Sequence, residues 1–154
     1  EDSKKNLYTD NCILNSVLNI KYSAAQVADI KIESNIFVPK YMNIDYGDMG
    51  VLFGNLLDNA IEANQGVDRK KRWINVSVKY EEHILIINIK NSKIRGSRRK
   101  KKGYLNHGIG LNSVKQIVEK FNGIVEVQDF GEMYEVSAIL YGICDDKDLG
   151  KSVL

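Results

Sequence analysis

The sequence predicts an α/β (α+β) two-layer sandwich, a mixed and largely antiparallel sheet packed on about three helices. Three observations point there. Apolar residues recur at helical spacing in three separate segments; residues 74–80 alternate apolar and polar as a half-buried strand does; and a second strand pattern follows across a short polar turn.

The first helix is expected over Asn11 to Ala28, with Ile13, Val17, Ile20, Ala24 and Val27 on its inner face. An extended segment follows near Lys31 to Val38, and Pro39 ends it. A second helix runs from about Gly47 to Gln65, with Leu52, Leu56, Ala60 and Ala63 facing a core and Leu57 and Ile61 widening that face. Ile74, Val76, Val78 and Tyr80 mark one strand, Ile84 to Asn91 the next, and Glu81-Glu82-His83 the turn between them. A third helix opens over residues 106–112 and carries Leu111, Val114, Ile117, Val118 and Phe121; Asn122-Gly123 stops it. Ile124 to Phe130 and Tyr134 to Tyr141 form a closing hairpin around Gly131-Glu132. Residues 1–144 are therefore read as one domain and 145–154 as a polar, frayed tail. At 154 residues the chain has the size of one unit with a proper core.

The chemistry concentrates in residues 55–63, Asn-Leu-Leu-Asp-Asn-Ala-Ile-Glu-Ala. Asn55, Asn59 and Glu62 lie at i, i+4 and i+7, a polar stripe on one side of the helix. Amides on a mostly apolar helix cost stability unless something hydrogen-bonds or coordinates them. A hydrated metal ion with a phosphate chain meets that need, as does a plain solvent-facing stripe. A second segment, Asn106-His-Gly-Ile-Gly-Leu-Asn112, sets Gly108 and Gly110 just before and within the first turn of the third helix. Glycine there lets a ligand approach the backbone, and a helix N-terminus attracts anions. An ordinary glycine-rich loop has the same look.

The two segments together, in this order, resemble the nucleotide-binding domain shared by gyrase, Hsp90, histidine kinases and MutL, the GHKL or Bergerat fold. Asn55 to Ala63 is similar to its N box, and Gly108-Ile-Gly110-Leu111 to its second glycine box. With Asn11 to Ile32, Asn91-Ser92 and Asn106-His107-Gly108, the chain is similar to receptor histidine kinases of the Agr/VirS type, which sense peptide signals in Gram-positive bacteria. The resemblance spans Asn11 to Ile143.

It implies ATP and Mg²⁺ as ligands. Asn59 matches the asparagine that coordinates Mg²⁺, an ion content with one side-chain carbonyl, phosphate oxygens and water. Asn55 matches a position that is a glutamate base in gyrase-like hydrolases; an amide cannot deprotonate water, which favours a kinase. Asn55 also reads as a plain metal-shell or capping amide. Asn55, Asn59, Asn91, His107, Gly108, Gly110 and Leu111 form the implied nucleotide site, with Asn55 and Asn59 nearest the chemistry. The family's first glycine box, Asp-x-Gly-x-Gly, is missing. The strand instead ends Asn91-Ser92-Lys93-Ile94-Arg95, where Asn91 can accept from the adenine amino group through its carbonyl oxygen. His107 contacts phosphate or merely caps the lid. Glu62 orients a metal-bound water, pairs with a lid cation, or is a solvated carboxylate.

Between strand and glycine box lies a basic run: Lys93, Arg95, Arg98, Arg99, Lys100, Lys101 and Lys102, with no acid among residues 92–107. Removing these seven from the 22 Lys and Arg leaves 15 against 20 Asp and Glu, a net −5 for the rest. Such runs are usually solvated. The resemblance makes this one a nucleotide lid, whose charge would attract triphosphate. Without interleaved aromatics it is a poor base-stacking surface, so no nucleic-acid partner is expected.

Neither His83 nor His107 lies on an acceptor helix, so the γ-phosphate must pass to a histidine on a separate dimerisation domain of the same full-length kinase, and from there to a response regulator. The fragment is expected to be monomeric and cytoplasmic, without membrane contact of its own, in a membrane-anchored receptor that dimerises at full length. No apolar run approaches the ~20 residues of a membrane helix. Cys12 and Cys144 are too scattered to suggest a disulfide framework or a zinc cluster. The rival readings are a non-catalytic nucleotide-binding switch, a hydrolytic ATPase, and a DNA-binding module built on the basic run.

Overall fold

A computed structural model describes residues 6–96 and 102–149; for 102–109 and 149 it describes the backbone alone. The first helix, α1, spans Cys12–Val27 and starts where Asn11 accepts a hydrogen bond from the Leu14 amide at 3.1 Å, an N-cap. Its buried face is Leu14, Leu18, Tyr22 and Ala25. The expected face was rotated by about one residue from this one: Ile13 and Val17 are half-buried, but Ile20 is 67% and Val27 87% exposed. Periodicity alone does not choose between adjacent apolar stripes. Tyr22 does, because its ring fills the core edge-on to Tyr8 while its hydroxyl reaches Ser34 Oγ at 2.7 Å.

Strand β1 (Lys31–Phe37) leads to helix α2 (Tyr46–Ala63), capped by Asp45, whose carboxylate accepts from the Gly47 amide at 2.7 Å. Met49, Leu52, Phe53, Leu56, Leu57 and Ala60 of α2 are buried; Ala63 is half-buried, and the inner position at this end goes to Asn64. A short 3₁₀ turn, Arg69–Lys71, had no sequence signal; Arg72 after it ties the end of α1 by donating to the Ala28 carbonyl at 2.8 Å.

Strands β2 (Trp73–Glu81) and β3 (Ile84–Ser92) form a hairpin whose two-residue turn puts Glu82 and His83 in the left-handed region, as tight hairpins require. Helix α3 (Lys102–Lys120), β4 (Ile124–Asp129), β5 (Met133–Leu140) and a single turn, α4 (Asp146–Leu149), complete the chain. The five strands lie in the order β1-β2-β3-β5-β4, with β1 parallel to β2 and the rest antiparallel. One face carries Ile74, Val76, Val78, Leu85, Ile87, Ile89, Val136, Ala138 and Leu140 into the core beneath the helices. The other face is polar across its middle: Asn88 donates to Glu135 Oε1 at 2.6 Å and to Ser137 Oγ at 2.8 Å. The two-layer sandwich is the expected one.

Two expectations need correction. Helix α3 begins at Lys102, so Gly108 and Gly110 lie inside it rather than at its first turn. Lysine is a good helix former, and the end of the basic run extends the helix backwards. Residues 145–149 are also not simply frayed. Asp145 accepts from the Lys147 amide at 2.9 Å, starting α4, and Ile143 N donates to the His83 carbonyl at 2.9 Å.

Candidate functional site

Asn55 and Asn59 are both half-buried on one side of α2, and Glu62 is exposed a turn later. No hydrogen bond to the Asn55 or Asn59 side chain occurs among the described residues. Helix α3 packs against α2. At the contact, Gly110 faces Asn55: a Cβ built on Gly110 would stand 3.6 Å from Asn55 Oδ1 and 3.8 Å from Cγ. The two segments singled out in the sequence, 55 residues apart in Asn55 and Gly110, thus meet side by side. Leu111 is half-buried beside them. For His107 and Gly108 the helical backbone is described, but their surroundings lie outside the described residues.

Asn91 occupies the C-terminal end of β3 and is only 1% exposed. Its Nδ2 donates to the Ser92 carbonyl at 3.0 Å, which orients the amide and leaves Oδ1 as its acceptor. Two residues that sequence reasoning gave no role hold this end of the strand. Asn64, 1% exposed, donates to the Ala60 carbonyl at 2.9 Å and the Trp73 carbonyl at 3.3 Å, while its Oδ1 accepts from Ser92 Oγ. The Trp73 amide donates to the same Ser92 oxygen at 3.0 Å. The end of α2 is thereby tied to the start of β2 and the end of β3. The available signal was Asn64 itself, a polar residue on the inner face of an amphipathic helix, where burial demands partners.

The basic run divides. Lys93 Nζ pairs with Asp129 Oδ1 at 2.9 Å, its backbone amide donates to the Glu132 carbonyl at 3.0 Å, and Arg95 Nε lies 3.8 Å from Glu132 Oε1. The Gly131 amide first, and Lys93 second, hold the Asp129 carboxyl below its usual range. Lys93 and Arg95 therefore fasten the start of the run to the β4–β5 turn instead of facing α2, which narrows the lid expectation to the later cations. Ile94 packs over Gly66, whose φ of 85° and lack of a side chain admit it. Arg98, Arg99, Lys100 and Lys101 lie outside the described residues, as does the Lys102 side chain.

Residues 44–140 match the GHKL domain. The chain belongs to the GHKL family. The GHKL domain is 32% identical over 95 residues to a probable C4-dicarboxylate sensor kinase of Bacillus subtilis (strain 168), an alignment covering 55% of this chain and only 18% of that protein. Its fold is that of histidine kinase catalytic domains. The nucleotide-free catalytic domain of the histidine kinase ThkA superposes with a TM-score of 0.66 at 15% identity, over 86% of this chain and 91% of that one. The Acinetobacter baumannii histidine kinase AdeS gives 0.61 at 16% identity, over 89% and 66%. Full-length ShkA in complex with AMPPNP gives 0.65 at 13% identity, over 89% and 31%. No described helix of the GHKL domain is long and apolar enough to cross a membrane.

Proposed function

We propose that this GHKL domain binds ATP with Mg²⁺ and donates the γ-phosphate to a histidine on a separate dimerisation domain of a longer sensor kinase. The juxtaposition of Gly110 and Asn55 carries this reading. It sets the glycine of the second segment in contact with the Asn55 carboxamide; Asn55 and Asn59 make no side-chain hydrogen bond among the described residues, and a third carboxamide, Asn91, is buried at the end of β3. Carbonyl oxygen is the donor that a hard cation selects, so Asn59 suits Mg²⁺, which when bound neutralises phosphate charge. Asn91 Oδ1 would accept from the adenine amino group, and its bond to Ser92 holds it in that attitude. Asn55 would position phosphate or metal-bound water without taking a proton from it, since an amide is no base at neutral pH. That argues against water as the acceptor. His107, Gly108 and Leu111 complete the proposed nucleotide site.

Residues 1–144 act as one nucleotide-binding unit in this reading, and the match to 18% of a sensor kinase supports acceptor and signal-reading parts elsewhere in a longer protein. The Agr/VirS type, a peptide signal, a membrane-anchored receptor with this domain in the cytoplasm, and a response regulator as the final recipient rest on the motif resemblance. The domain itself is proposed to be monomeric.

Calorimetric titration with a non-hydrolysable ATP analogue, with and without Mg²⁺, tests the site. Magnesium-dependent binding is expected; no binding in either condition overturns it. Phosphate transfer from ATP to a supplied acceptor helix then separates a kinase from a non-catalytic nucleotide switch.

A further inference from the structure

We propose that His83, Cys144 and Asp148 form a cation site, for zinc or a similar borderline-soft divalent ion, at the opposite end of β3 from Asn91. It stands independently of the kinase reading. One nitrogen, one sulfur and one oxygen ligand atom all lie within 4.8 Å of one another, and His83 Nδ1 is 3.4 Å from Asp148 Oδ2. A tetrahedral zinc site with bonds of about 2.0–2.3 Å holds its ligands about 3.3–3.8 Å apart. Small side-chain adjustments would close the set.

The backbone holds the three in place without help from a metal. The left-handed turn at Glu82 and His83 presents the imidazole at the tip of the β2–β3 hairpin. Ile143 N donates to the His83 carbonyl at 2.9 Å, and the Tyr80 hydroxyl donates to the Ile143 carbonyl at 3.0 Å. Asn43 grips Cys144 from both sides, its Oδ1 accepting from the Cys144 backbone amide at 2.8 Å and its backbone N–H donating to the Cys144 carbonyl at 3.2 Å. The turn of α4 brings Asp148 back over the hairpin, where the Asp145 amide donates to its Oδ2 at 3.1 Å. The site is reachable, with the His83 side chain 55% and Asp148 21% exposed, so water can take a fourth position.

Nitrogen, sulfur and carboxylate together select zinc-like ions over Mg²⁺ and Ca²⁺, which prefer all-oxygen shells. Nδ1 now lies 3.1 Å from the Ile143 carbonyl, a hydrogen bond when it carries the proton. The cation would take the place of that proton, the ring keeping its hydrogen on Nε2, and Cys144 would bind as the thiolate after releasing its own proton to solvent. Bound metal would clamp α4 to the hairpin.

The test is titration of the whole chain with Zn²⁺ and Co²⁺ in a thiol-free reductant. Expected are one tight Zn²⁺ per chain, a thiolate-to-cobalt charge-transfer band, and a raised melting temperature with Zn²⁺ that excess Mg²⁺ does not reproduce. Cys144→Ser should abolish the band, and His83→Gln and Asp148→Asn should each weaken Zn²⁺ at least tenfold. Cys12→Ser, which alters the other free thiol, should change nothing. Absence of the band, or its loss in Cys12→Ser with retention in Cys144→Ser, overturns the proposal.

Discussion

Gly110 of α3 stands against Asn55 of α2, with the space a side chain would fill lying 3.6 Å from the amide oxygen. Among the described residues nothing nearer than that opposes a methyl group, so Gly110→Ala should fold normally and gain about 1 kcal/mol of helix propensity. The same methyl would crowd the proposed nucleotide beside Asn55. A higher melting temperature together with at least a tenfold loss of ATP-analogue affinity is expected; unchanged affinity would remove Gly110 from the site.

Asn59 has no hydrogen bond to any described residue, so Asn59→Ala should leave stability within about 0.5 kcal/mol. Calorimetry should show the magnesium-dependent part of nucleotide binding gone. Binding that still responds to Mg²⁺ would place the ion elsewhere.

Asn91 and Asn64 should separate binding from support. Asn91→Ala should weaken ATP relative to inorganic triphosphate, and an equal loss for both would contradict its placement at the base. Asn64→Ala strips partners from Ser92 and the Trp73 carbonyl. The Trp73 carbonyl and Ser92 Oγ still have each other, so the cost is that of the lost bonds, about 0.5–1.5 kcal/mol each, readable by urea unfolding.

The α3–β4 junction sets a steric demand of another kind. Asn122 adopts the left-handed conformation (φ 52°) and the Gly123 amide bonds the Val118 carbonyl at 3.0 Å, a Schellman ending. A Cβ on Gly123 would fall 2.0 Å from the Ile139 carbonyl oxygen and 2.7 Å from Val118 Cγ1. Gly123→Ala should therefore destabilise by about 3 kcal/mol or more, since the obstructing atom is backbone. A melting curve like that of the parent would contradict the close approach.

Alkaline stability should depend on Tyr22, whose phenol burial pushes from 10.0 up to about 12 against the partly opposing hydrogen bond with Ser34. In the unfolded chain the phenol ionises near 10, while in the folded one it stays neutral. Its contribution is therefore complete below pH 10 and is lost as pH rises towards 12. Tyr22→Phe should be less stable at neutral pH by about 1 kcal/mol, having left Ser34 without that partner, yet lose stability less steeply between pH 10 and 12. Tyr80 and Tyr134 are also raised, so the slope should shrink rather than vanish. Parallel slopes would contradict the burial of the phenol.

Period and punctuation made most of the fold legible. Ile74 to Tyr80 alternates because one face is buried, and the Asn122-Gly123 pair stops α3 as its chemistry suggests. The inner face of α1 is not legible from period alone, because Tyr22 counts as polar or apolar depending on where its hydroxyl goes, which depends on Ser34, twelve residues away. In the candidate site, Asn55 and Gly110 were visible as motifs, whereas Asn64 and Ser92 were not. Their roles exist only once α2, β2 and β3 end at the same place. The pairing of Lys93 with Asp129 was hidden for the same reason, since β4 joins the sheet beyond β5.

The basic run follows β3, and α3 and the edge strand β4 then come before β5, the strand paired with β3. An insertion between neighbouring strands can change length with little effect on their register. Lys93 and Arg95 fasten the end of β3 to the β4–β5 turn, so a change of length beyond them need not disturb the sheet. The stretch between β3 and α3 is thus where GHKL domains can diverge while inheriting the same scaffold unchanged.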